Sequence, residues 1–85
     1  NKMMVNDGFE NILMTLNFIK EDESVPKNIR SKINETICCL NENKDFSLKI
    51  NKALQDLDEI SNDPNLPIYT RVEILNMVGV LGGYQ

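Results

Sequence analysis

Leu54-Gln55-Asp56-Leu57-Asp58-Glu59-Ile60-Ser61-Asn62-Asp63-Pro64-Asn65-Leu66-Pro67 carries the end of one helix, a break and the start of the next. Leu54, Leu57 and Ile60 recur at helical spacing and mark one apolar face. Asn62-Asp63-Pro64-Asn65 stops the helix, because Asn and Asp side chains compete for backbone hydrogen bonds and proline lacks an N–H. Pro67 opens the next helix, since its fixed φ suits the first helical position and its missing N–H costs nothing there. Forty-one residues upstream the chain reads the same way, with Leu13, Leu16, Ile19, Asp22 and Pro26 at the matching places. Arg30, Ile33 and Leu40 then match Arg71, Ile74 and Leu81, which makes eight identities over 36 aligned positions. Val25/Leu66, Ile37/Val78 and Phe9/Ile50 are conservative pairs. Apolar matches alone are what any two amphipathic hairpins share. The punctuating Asp, Pro and Arg at equal offsets argue for a duplicated helical hairpin. A period near 40 is that of HEAT and armadillo repeats, and the Asp…Arg placement around the turn also looks HEAT-like. Two repeats are too few for an open solenoid, so they should close on each other as a bundle or pair with a second chain.

The rest of the chain fits this scheme. The first helix is expected over residues 8–22, with Asp7 as N-cap and Phe9, Ile12, Leu13, Leu16 and Ile19 on its apolar face. The second opens at Pro26 and carries Ile29, Ile33, Ile37 and Leu40. After the polar link Asn41-Glu42-Asn43-Lys44, the third starts past Asp45 with Phe46, Ile50, Leu54, Leu57 and Ile60. The fourth runs from Pro67 to about Leu81, with Gly82-Gly83 as its stop. No segment alternates with period two, so no sheet is expected. The expectation is one all-α domain over residues 1–85. It is a four-helix bundle of two HEAT-like hairpin repeats, about 8–42 and 45–82. Asn1-Lys2 reads as a remnant ahead of a start at Met3 or Met4, and residues 1–6 are left out of the fold argument.

Composition bounds the chemistry. The chain has 85 residues, 41% hydrophobic and 26% charged, with a net charge of −4, as ordinary soluble domains have. Such an acidic chain is ill suited to sequence-independent nucleic-acid binding, which needs clustered Lys and Arg. It contains no His, so imidazole acid–base catalysis and His-ligated metals are excluded. No run approaches the ~20 apolar residues of a membrane span, and no secretory leader pattern opens the chain. Adjacent Cys38 and Cys39 have neither Cys-x-x-Cys spacing nor enough ligands for zinc, and read as reduced thiols of a cytoplasmic protein. Glu21, Asp22 and Glu23 crowd the first turn, while Asp56, Asp58, Glu59 and Asp63 approach the second. They read chiefly as solvated surface, and a hard cation is the alternative ligand. Lys20, Lys27, Arg30 and Lys32 form at most a small basic patch without interleaved aromatics. Asp22 with Arg30, and Asp63 with Arg71, are expected to brace the turns as ion pairs.

Val25-Pro26-Lys27-Asn28-Ile29-Arg30, residues Leu57 to Pro67, and Thr70-Arg71 resemble the signature stretches of uncharacterised protein family 0147, a group of short archaeal proteins. The resemblance spans roughly residues 9–81, with Leu66 where Met is expected. It implies an all-α, four-helix fold and an archaeal cytosolic setting. It brings no activity and no catalytic residues.

The two halves differ in one respect. Nine of the fourteen residues from Ile68 to Leu81 are apolar. Beyond the repeat-matched face of Ile74, Val78 and Leu81, a second stripe remains at Ile68, Val72, Leu75 and Gly79. The equivalent positions 27, 31, 34 and 38 hold Lys, Ser, Asn and Cys. Such a stripe is buried in a wider intramolecular core, in a homodimer seam or under a different protein. The expected function is therefore a non-catalytic protein-interaction module or adaptor, with a protein partner or a second copy docking on that stripe. No catalytic, cofactor-binding or metal residues are assigned, and no cofactor is expected. The alternatives are a small cation-binding or enzymatic protein using the turn carboxylates, and an RNA-associated factor.

Overall fold

The computed structural model describes the backbone of residues 2–84 and the side chains of residues 8–84. Asn1, read above as a remnant, lies outside the described residues. Four helices follow in order: α1 (Lys2–Glu21), α2 (Lys27–Asn41), α3 (Phe46–Ser61) and α4 (Ile68–Gly82). No strand occurs among the described residues. Each helix packs on the next and α4 returns to α1, closing a four-helix bundle of 37 × 22 × 19 Å.

Local chemistry explains most boundaries. Asp45 caps α3, its side chain accepting from the backbone N–H of Ser47 at 2.9 Å and of Leu48 at 3.3 Å. Pro26 and Pro67 have ψ of 144° and 145°, so α2 and α4 start one residue later than expected. Each proline serves as N-cap: the Pro26 carbonyl accepts from both Ile29 and Arg30, and the Pro67 carbonyl from Arg71, all at 3.0 Å. The largest departure is α1, which begins at Lys2 rather than near Gly8. Asp7 is therefore interior to a helix, not its N-cap. The residues upstream include Lys and two Met, which extend a helix readily. At the other end Gly83 closes α4 in a right-handed conformation, φ −69°, so the glycine stop does not use a left-handed turn.

The core joins both hairpins. Leu16, Ile33, Ile50, Leu57, Ile74 and Leu81 are completely inaccessible. Matching positions of the halves play matching parts: Leu16 and Leu57, Ile19 and Ile60, Val25 and Leu66, Ile33 and Ile74, and Leu40 and Leu81 are all buried. At one end Phe9, Phe46 and Tyr84 form a ring trio with centroids 5.9–6.3 Å apart. Phe46, expected on the core face of α3, is instead half exposed, with the Lys49 ammonium 5.9 Å from its ring. As the first residue of α3 it lies at the bundle's end and plugs it rather than filling it.

Thr70 breaks the pattern. It occupies the place of buried Ile29, is 1% exposed, and its hydroxyl has no partner among the described residues. An unpaired buried hydroxyl costs free energy that an isosteric methyl does not. Thr70→Val should therefore raise stability by ~1 kcal/mol, read as a higher midpoint in urea at unchanged slope.

Candidate interaction surface

Two built features frame the surface that α4 presents. The first is the pair of turns preceding α2 and α4. Asp22 accepts from the Ser24 N–H at 2.9 Å, and Asp63 accepts from the Asn65 N–H at 2.8 Å. Both carboxylates thus make the same Asx turn. The expected ion pairs do not form: among the described residues neither carboxylate lies within salt-bridge distance of a cation. The arginines reach turn carbonyls instead. Arg30 Nε donates to Val25 O at 3.0 Å. Arg71 donates to Ser61 O, to Asp63 O at 3.0 Å and to Leu66 O at 3.3 Å. The reason is geometric. Each carboxylate is already committed to its own turn, and half-buried carbonyls need a donor that a guanidinium fork supplies.

The second feature is the seam between α1 and α4. Tyr69, at the start of α4, donates its hydroxyl to Asp22 Oδ2 at 3.0 Å and meets Ser24 Oγ at 2.8 Å. This closes the seam at one end. At the other, a Cβ on Gly8 would stand 2.7 Å from the Tyr84 hydroxyl, so Gly8 lets that ring lie close against α1. Between them runs a groove of about 300 Å³ lined by Asn11, Thr15, Glu73, Asn76, Met77 and Val80. Hydrogen bonds from Ser24 and Tyr69 hold the Asp22 carboxyl below the ordinary carboxylate range. A group depressed in the folded state stabilises that state at neutral pH and loses the effect as pH falls through its folded value. The melting temperature should thus drop as pH falls below the ordinary carboxylate range, and Asp22→Asn should flatten that dependence.

The sequence-identified stripe lies outside the core. Ile68 is 80% exposed and Val72 and Leu75 are each 52% exposed, while Gly79 faces open space. Thr70, Ile74, Met77 and Leu81, on the opposite side of the same helix, are buried. The wider-core reading of the stripe is therefore excluded. Sequence reasoning missed further exposed apolar side chains. Tyr69 and Val80 lie beside the stripe, and Met14 (55% exposed) and Phe18 (71% exposed) project from α1. The signal was present as Met14 and Phe18 at i, i+4 off the core stripe of α1.

The other candidates do not assemble. Cys38 and Cys39 are free thiols on α2 facing α3. Burial first, then the Glu42 and Asp56 carboxylates, push the Cys39 thiol up, which makes it less nucleophilic. Asp56 pairs with Lys52 at 2.7 Å. Of the basic patch, Arg30 is spent on Val25 and Lys20 lies 3.9 Å from Glu21. Among the described residues no three metal-ligating side chains converge. No helix there is long and apolar enough to cross a membrane.

Known proteins place the chain. The model of an uncharacterised protein family, UPF0147, matches residues 1–83. A UPF0147 protein of Methanosarcina acetivorans is 42% identical over 80 residues, covering 89% of this chain and 82% of that one. An Archaeoglobus fulgidus member is 38% identical over 80 residues, covering 94% and 92%. The crystal structure of a Thermoplasma acidophilum protein of the same family superposes with a TM-score of 0.88 at 27% identity, over 94% of this chain and 95% of that one. A second solved protein, of unknown function, gives 0.82 at 40% identity, over 91% and 89%. With the family match, the curated relatives and the solved fold in agreement, the chain belongs to the archaeal family UPF0147.

Proposed function

We propose that this protein is a non-catalytic interaction module whose docking surface is the outer face of α4. One observation carries the reading: Ile68, Val72 and Leu75 stand in water on the side of α4 turned away from its own core. Isolated exposed apolar residues are ordinary, but a continuous apolar strip on one helix marks an association surface. The bundle beneath it is a rigid scaffold of two like hairpins. Their matched Asx turns, proline N-caps, carbonyl-binding arginines and core positions support an origin by duplication of a HEAT-like unit. On this view the first hairpin kept polar residues at the equivalent positions, and the second became the contact element.

The test is affinity capture of the tagged full chain from its native lysate at physiological salt, beside Val72→Glu. A buried charge on a desolvated contact is unfavourable by several kcal/mol, so the variant should lose its partner while its circular dichroism stays helical. Recovery of the same proteins by both chains would show that α4 is not the contact.

A further inference from the structure

We infer that the occupant of the α4 face is a second copy of this chain, docked with the two α4 helices antiparallel about a two-fold axis passing between Val72 and Leu75. This rests on the interaction reading above and adds to it the partner and the register. The stripe residues 68, 72, 75 and 79 are spaced 4, 3 and 4, the same in either direction. An antiparallel helix pair related by a two-fold places each stripe position opposite its mirror position. Ile68 of one copy then faces Gly79 of the other, and Val72 faces Leu75, each contact occurring twice. The side chains suit that pairing. Among the described residues Ile68 is the most exposed large apolar side chain, a knob 80% accessible. Gly79 offers room for it, since among the described residues no heavy atom lies within 4 Å of where its Cβ would stand.

Charge and area agree. Each chain carries −4, so self-association needs a contact free of opposed acids. The stripe has none: Glu73 lies toward the α1 groove, and Arg71 is committed to turn carbonyls. Ile68, Tyr69, Val72, Leu75 and Val80 of α4 present on the order of 500 Å² per copy, so two copies reach about the 1,000 Å² total that a specific interface needs.

The experiment is equilibrium sedimentation of the full chain from about 1 µM to 1 mM, with circular dichroism on every variant. The wild type should approach twice its 9.7 kDa mass, and Val72→Glu should remain at 9.7 kDa with native helicity. Ile68→Ala and Gly79→Leu should each weaken the dimer by about tenfold or more, the first by leaving a void and the second by filling the notch. The double variant should recover most of the loss, because the volume has only moved across the seam. A wild type that stays monomeric throughout overturns the second-copy assignment. The interaction reading would then stand or fall on whether lysate capture depends on Val72. A dimer unaffected by Val72→Glu overturns both. A Val72-dependent dimer in which the double variant shows no recovery overturns the antiparallel register.

Discussion

Leu16→Ala and Leu57→Ala should each lower stability by ~3–4 kcal/mol, and by nearly equal amounts. Both leucines are completely buried, and they occupy the same position of the two hairpins, one on α1 and one on α3. Truncation removes the transfer free energy of the side chain and leaves a cavity that four packed helices collapse only in part. A chain of this size holds only about 4–13 kcal/mol in total, so each variant should sit near the edge of folding at room temperature. Urea unfolding followed by circular dichroism reads the effect as a large fall in midpoint at little-changed slope. A marked inequality would mean that the halves, though alike in pattern, are not alike in packing density.

Arg71→Ala should follow at ~2–3 kcal/mol, against ~1 kcal/mol for Arg30→Ala. The two arginines match in sequence and differ in what they hold. Arg30 donates to one carbonyl, that of Val25. Arg71 gathers three, from Ser61, Asp63 and Leu66, and so stitches the end of α3 to the start of α4. Removing it takes the guanidinium donor from the Ser61 and Leu66 carbonyls, while Asp63 O keeps the Leu66 N–H at 3.2 Å, and losing two such bonds costs more than losing one. Arg71→Lys should recover little, because an ammonium is a point donor and does not span three separated acceptors as the planar fork does. Equal losses for the two arginines in urea titration would overturn this account of the second turn.

Much of this molecule was legible in one dimension because the deciding interactions are local. Asp45 ahead of α3, and Pro26 and Pro67 opening α2 and α4, each act on residues within a few positions. Helical periodicity likewise states which residues share a face, so Leu16, Ile33, Leu57, Ile74 and Leu81 were identifiable as core. Periodicity does not state what lies opposite a face. The stripe at Ile68, Val72, Leu75 and Gly79 was visible in the sequence, yet only the placement of α1 and α3 on the far side of α4 showed that it faces water. The Asp22–Arg30 and Asp63–Arg71 ion pairs were reasonable from charge and spacing. They gave way because a guanidinium satisfies backbone carbonyls that come together only once the turn is formed. Tyr69 meeting Asp22 across 47 residues is likewise a product of closure. The chain's local chemistry determined four helices, their breaks and their inward faces. Which outward face was left bare, and what joined it, was decided by tertiary packing, since only that sets which surfaces are opposed and which are not.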